Sequence, residues 1–237
     1  MDAVGTIRLL ARYPVKSMRG EARPMAILTA KGVPEDRRYA FVQTASRSGF
    51  PWLTARELPD LLRYQPCVEQ IEPNKLVVTV TTPGGEKWPV ESEELRREIE
   101  EHSGRAVHLV HHHRGKYDAA PISVISRQTI AQIAEESGTE ENPWRFRPNL
   151  VVDLHNGKGF EELNWVGHVL RVGNAARIAL IEVDYRCVII TLDPVTTEPS
   201  PGILRCVAQQ HGKCAGLYGT VLAPGEVRPG DAVWLET

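Results

Sequence analysis

The stretch YRCVIITLDP, residues 185–194, sets one cysteine, Cys187, between an arginine and an apolar run that stops at Asp193-Pro194. A thiolate at this point could ligate a soft metal or act as a nucleophile. The run taken alone reads differently. As a strand it would turn Tyr185, Cys187, Ile189 and Thr191 to one face, and Arg186, Val188, Ile190 and Leu192 to the other. Both faces are largely apolar, which predicts a strand buried on two sides or a barrel wall, with Cys187 as a small core residue. Arg186 would point away from the thiol and could not activate it by direct contact.

A second set of residues could grip an anion. RYPVKSMRG (12–20) brings Lys16, Ser17, Arg19 and Gly20 together where a strand ends. PEDRRYAF (34–41) and PWLTAREL (51–58) add Arg37, Arg38 and Arg56, and WRFRPNLVV (144–152) adds Arg145, Arg147 and Asn149. Guanidinium and ammonium groups beside a hydroxyl suit charge-assisted bonds to phosphate or carboxylate. Each taken singly reads as a solvated strand edge. Their recurrence at strand ends predicts one anionic pocket, provided the fold brings them together.

Two further groups could hold metal. His111 and His113 in VHLVHHHRG (107–115) would share a strand face, but no carboxylate or cysteine stands beside them at zinc-like spacing, and the segment reads as a solvated strand end. Cys206, His211 and Cys214 form a C-x4-H-x2-C pattern around a helix end. A closed zinc site would need a fourth ligand, for which Cys187 is the candidate.

Many short β-type runs must position these residues. TIRLLARYPV, MAILTA, YAFVQT, KLVVTV, AVHLVHH, NLVVDL, HVLRVG, ARIALIEV, CVIITL, LYGTVLA and AVWLE read as strands between Gly, Pro, Asn and Asp. Helices are expected at 94–104, at 126–138 with Ser126 as N-cap, and at 201–212, each ending on glycine. The pattern predicts a mainly β fold with a few helices, as barrels or sandwiches and not a βαβ array. The 237 residues suffice for two modest domains, with a seam expected near residue 115 in the polar segment RGKYDAAP. No glycine-rich phosphate loop follows a strand.

Composition excludes several classes. The net charge of −2 gives no general attraction to nucleic acid or anionic membrane. No window approaches the ~18 apolar residues of a membrane span, and the N-terminus does not read as a signal peptide. The four widely spaced cysteines form no C-x-x-C, and a cytoplasmic protein with free thiols is expected.

Taken in order, YPVKSMRG, DRRYAF, TAREL, RFRPNLVV, GHVLRVG, RCVIITLDP and LYGTVLAPGEVRPGDAVWL resemble the MOSC-domain family over about residues 6–236. The resemblance implies an N-terminal β-barrel-like domain, residues 1–115, and a C-terminal MOSC β-barrel, residues 116–237. The amidoxime-reducing components and their bacterial relatives are two-domain proteins of this type. They bind a molybdenum pyranopterin and reduce hydroxylamines, amidoximes and N-hydroxylated bases. Carried over, the resemblance makes Cys187 the molybdenum ligand and gives Cys187 and Asp193 the catalytic roles. It assigns cofactor binding to Lys16, Ser17, Arg37, Asp118, Ser126, Arg147, Asn149 and Thr191. At family level it also admits a pyridoxal phosphate-binding assignment.

Some features depart from the family. Its D-P-x-T-G-E loop is here Asp193-Pro194-Val195-Thr196-Thr197-Glu198, so the turn glycine is replaced by Thr197. The sequence shows neither the iron–sulfur domain of some relatives nor the membrane anchor of others. A separate redox partner is therefore expected: a flavoprotein, an iron–sulfur protein or a b-type cytochrome. Two other readings of the same residues are a sulfur or molybdenum-cofactor carrier that uses Cys187 without turnover, and a non-catalytic barrel that binds another anion.

Overall fold

The computed structural model describes residues 2–44, 46–72, 75–113 and 119–236. The first half runs β1 (Gly5–Arg12), β2 (Glu21–Ala22), β3 (Ala26–Leu28), β4 (Tyr39–Gln43), β5 (Gln65–Glu72), β6 (Lys75–Thr81), β7 (Lys87–Pro89), α1 (Glu93–Ser103) and β8 (Val107–His111). The second runs β9 (Ile122–Ser126), α2 (Arg127–Ser137), β10 (Leu150–Leu154), β11 (Val169–Val172), β12 (Ala176–Tyr185), α3 (Pro201–Gln210), β13 (Cys214–Ala223), β14 (Gly225–Val227) and β15 (Ala232–Glu236). The mainly β composition with a few helices is what the sequence predicts. No helix among the described residues is long and apolar enough to cross a membrane.

Seven strands close into a barrel in the order β1, β10, β9, β13, β12, β11, β15 and back to β1. Closure leaves those strands without a free edge. The barrel is filled by inward side chains such as Leu10, Val124, Val152, Leu170, Ile178 and Leu217. β1 comes from the first half of the sequence, yet it pairs with both β10 and β15, and β3 pairs with β14. The predicted seam near residue 115 falls within 114–118, outside the described residues. Among the described strand pairs one is parallel: β9 and β10, with α2 as their crossover, form a single βαβ unit inside a fold that is otherwise not a βαβ array.

The first half has its own core. Sheets β4–β8 and β5–β6–β7 pack with α1 around Val15, Met18, Phe41, Tyr64, Leu95 and Ile99. Ser92 caps α1 by accepting from the Leu95 N–H at 3.2 Å, and Gly104 ends it in the left-handed region. A third cluster packs α2 and α3 on the outside of the barrel through Ile130, Ile133, Ile203 and Val207.

The segment 185–192 corrects the sequence expectation. β12 stops at Tyr185, and Val188–Thr191 form one turn of 3-10 helix, not a strand. The Thr191 hydroxyl closes the turn on the Val188 carbonyl at 2.7 Å. The turn buries Ile190 fully and leaves Val188 and Tyr185 exposed. Burying an isoleucine is worth about 1.5–3 kcal/mol. The β preference of a whole scale spans only ~1 kcal/mol, so packing wins over the β-branched composition. Cys187 is consequently exposed and is not a core residue.

Candidate functional site

A cavity of about 470 Å³ opens between the two halves. Lys16, Ser17, Arg37 and Arg56 reach it from the first half, and Arg147, Arg186 and Cys187 from the second. Of the strand-end cations expected to share one pocket, Lys16, Arg37, Arg56 and Arg147 line the cavity with Cys187, whereas Arg19, Arg38 and Arg145 do not.

Two aromatic rings hold four cations in pairs. The Tyr13 ring carries the guanidinium of Arg37 at 5.0 Å and that of Arg147 at 4.4 Å. The Phe50 ring carries Lys16 at 5.8 Å and Arg56 at 4.7 Å. Cation–π contact offsets part of the cost of crowding like charges. Tyr13 is itself buried, and burial pushes its hydroxyl pKa well above the ordinary tyrosine value. A Cβ at Gly20 would come within 2.3 Å of the Tyr13 ring, so only glycine leaves room for that ring.

Backbone strain gathers at the same place. Ser17, Arg37 and Arg147 have φ of 63°, 49° and 53°. Non-glycine residues seldom adopt this region, and they persist there when surrounding contacts over-determine them. Those contacts are present. Arg37 pairs with Asp36, and donates to the Arg147 carbonyl at 2.8 Å and to Asn149 Oδ1 at 3.2 Å. Arg147 donates to the Met18 carbonyl at 2.7 Å. Three chain segments are thus pinned together beneath the cavity.

Arg186 explains the residue before the cysteine. It is buried, donates to the carbonyls of Ala215 at 2.7 Å and Phe146 at 2.8 Å, and pairs with Asp184 at 2.9 Å. Gly216, at φ 82°, lies against it, where a Cβ would stand 3.1 Å from Nη2. Arg186 fixes the exit of β12 and so the place of Cys187, and its guanidinium bonds these partners.

Asp193 anchors the turn that follows. Its Oδ1 accepts from the N–H of Val195 and of Thr196 at 2.9 Å each, and its Oδ2 accepts from Arg145 at 2.9 Å. Burial tends to raise its pKa, but the Thr196 and Val195 N–H groups and Arg145 outweigh it and hold the carboxyl below its ordinary value. The turn forms without a glycine: Thr197 takes φ 63° itself, and its N–H bonds the Asp193 carbonyl at 2.9 Å.

Of the ten residues singled out from sequence, Lys16, Ser17, Arg37, Arg147 and Cys187 line the cavity. Asn149 is buried behind it, binding the Ser123 N–H, the Ala11 carbonyl and Arg37. Thr191 closes its own turn, and Asp193 shapes the loop away from the cavity wall. Ser126 does not reach the cavity. It is fully buried as the N-cap of α2, with its hydroxyl held between Thr129 and Glu162. Asp118 lies outside the described residues.

Sequence reasoning missed Tyr13, Phe50 and Ser123. Ser123 is buried on the cavity wall, and its Oγ has no hydrogen-bond partner among the described residues. A serine inside the apolar run ISVIS was the available signal; nothing near Phe50 marks it. His111 stacks on Tyr39 at 4.4 Å, and burial and His113 lower its pKa. The histidine pair gathers no further metal ligand among the described residues.

Residues 4–120 match the MOSC N-terminal beta barrel domain, and residues 107–234 match the MOSC domain. A comparison with curated proteins finds no match. Among solved structures the chain is similar to the YUAD protein from Bacillus subtilis, at 13% identity and a TM-score of 0.48, covering 99% of this chain and 94% of that one. It is also similar to YiiM from Geobacillus stearothermophilus, at 17% identity and a TM-score of 0.41, covering 73% of this chain and 72% of that one. For YiiM from Escherichia coli the figures are 22%, 0.37, and 52% and 57% coverage. The two domain matches together span nearly the whole chain, and the protein belongs to the two-domain MOSC family.

Proposed function

We propose that this chain binds a molybdenum pyranopterin in the cavity and, with a separate electron donor, reduces N-hydroxylated compounds. One observation carries the reading: the exposed thiol of Cys187 shares a single cavity with Lys16, Arg37, Arg56 and Arg147. The residues suit such a group. A pterin phosphate calls for ammonium and guanidinium donors, and molybdenum with sulfur donors already in place accepts a soft thiolate. The buried, unpartnered Ser123 Oγ offers a further hydrogen bond inside the cavity.

When bound, the metal would supply a two-electron change that removes the hydroxyl oxygen from nitrogen. Overall, N–OH, two electrons and two protons give N–H and water. The chain's own groups supply position. Cys187 is set by the Arg186 contacts and by the turn at 188–191. The Tyr13 and Phe50 pairs hold cations toward the cavity, and exposed Tyr185 stands at its rim. Electrons would come from a partner of the flavoprotein, iron–sulfur or b-type cytochrome class.

The test is molybdenum content and turnover in protein made by a host that synthesises the cofactor. Wild type should carry molybdenum and Cys187→Ala should fall to background. Loaded protein should oxidise a reduced donor in the presence of hydroxylamine. Equal molybdenum in both proteins would sink the proposal. Loaded protein without turnover would favour the carrier role instead.

A further inference from the structure

The C-x4-H-x2-C pattern has a different outcome from the one its spacing implies. Cys214 does not join the other two residues: its thiol donates to the Gly212 carbonyl at 3.3 Å. Glu136, from the C-terminal part of α2, takes its place. Its Oε2 lies 3.1 Å from Cys206 Sγ and 2.6 Å from His211 Nε2, and the three ligand atoms all lie within 4.8 Å of one another. Cys187, the fourth ligand expected from sequence, lines the separate cavity.

We propose that Glu136, Cys206 and His211 form a site for a divalent cation of zinc type, between α2 and the C-terminal end of α3, with solvent as the fourth ligand. One thiolate, one imidazole and one carboxylate make a donor set of borderline softness, which suits Zn²⁺ above the hard cations Mg²⁺ and Ca²⁺. The geometry is close to what such an ion needs. Bonds of about 2.1 Å to oxygen and nitrogen and about 2.3 Å to sulfur put tetrahedral O–N and O–S pairs about 3.4 and about 3.6 Å apart. The present oxygen–nitrogen and oxygen–sulfur separations would have to open by less than about 1 Å to reach that.

Neighbouring groups hold the ligands in place. Gln132, one helical turn before Glu136, donates to Oε1 at 2.7 Å and leaves Oε2 for the site. The Phe160 ring stacks on the His211 imidazole at 3.6 Å and 13°, which fixes the plane of that ring. Phe160 stands at φ 65°, and its N–H is anchored to Thr129 Oγ1 at 2.6 Å. Oriented ligands of this kind are what metal sites use. Cys206 is buried on the face of α3 that carries Ile203 and Val207, while Glu136 borders an open groove with Gln128, Gln132, Lys158 and Gly159. The ion would therefore enter from solvent, displace the thiol proton to water, and clamp the two helices.

The experiment uses the full chain, stripped with chelator and titrated with Co²⁺ alone as a spectroscopic stand-in for Zn²⁺. Wild type and Cys187→Ala should bind one equivalent with the same thiolate-to-cobalt band. Cys206→Ser should lose the band, because a hydroxyl cannot produce it, and Zn²⁺ should raise the melting temperature of wild type but not of Cys206→Ser. Gln132→Ala should weaken binding about tenfold or more while keeping the band. Should Cys206→Ser fold poorly, Glu136→Gln, which gives up one of the two acceptor oxygens that Gln132, Cys206 and His211 share, should weaken Co²⁺ binding in protein that circular dichroism shows to be folded. No band in wild type overturns the site, as does a band that survives Cys206→Ser or disappears with Cys187→Ala.

Discussion

Arg37 donates to Oδ1 of Asn149 at 3.2 Å, across 112 positions of sequence. The same Oδ1 accepts the Ser123 N–H at 3.0 Å, and Nδ2 donates to the Ala11 carbonyl at 3.2 Å. All of this is buried, so Asn149→Ala would leave a donor and an acceptor without partners. Each costs about 1–3 kcal/mol, and a total loss of about 2–6 kcal/mol is expected. Urea denaturation measures it. A loss under about 1 kcal/mol would mean that Asn149 does not join the halves.

Much of the barrel was legible in the sequence because its strands alternate with turn residues, as in ARIALIEV and LYGTVLA. The three helices were legible from capping: Ser126 and Gly138 bound α2 as read. The cavity was legible only as a recurrence. Lys16, Arg37 and Arg147 stand at strand ends in sequence, but the rings that gather them, Tyr13 and Phe50, carry no local mark of that role. Segment 188–191 was misread for a physical reason: four residues with β-type side chains bury Ile190 better as a turn. Glu136 could not be found by spacing, because it lies 70 positions before Cys206.

Thr197 stands in the left-handed region, at φ 63°. A β-branched residue there costs about 1–2 kcal/mol. Thr197→Gly relieves that cost, loses the hydroxyl contacts to Thr196 and Asp60, and adds freedom to the unfolded chain. A net gain of about 0.5–1 kcal/mol is expected, read as a higher denaturation midpoint. Thr197→Ala keeps the strain and loses the hydroxyl, so it should not stabilise. The same gain from both variants would place the effect outside the backbone.

Cys187 is exposed, and its removal leaves no cavity. In cofactor-free protein Cys187→Ala should change stability by no more than about 0.5 kcal/mol, the range of ordinary surface substitutions. In protein made with the cofactor the same change should abolish molybdenum binding. A loss of 2 kcal/mol or more in the cofactor-free form, roughly that of a core truncation, would return Cys187 to a packing role.

Asp193 makes the turn over residues 193–198 sensitive to acid. Its carboxyl is held below the ordinary value of 3.8, because the Thr196 and Val195 N–H groups and Arg145 outweigh the effect of burial. A depressed pKa in the folded state means that the group contributes stability above the unfolded value, and that this contribution fades as pH falls through the folded one. Asp193→Asn keeps an acceptor for the two N–H groups but drops the charge that Arg145 meets at 2.9 Å. Wild type should therefore melt above Asp193→Asn at neutral pH. The gap should hold down to about pH 4 and close below it. Melting temperatures of both proteins across that range provide the check. A gap that persists unchanged in strong acid would show that the carboxylate charge does not hold the turn.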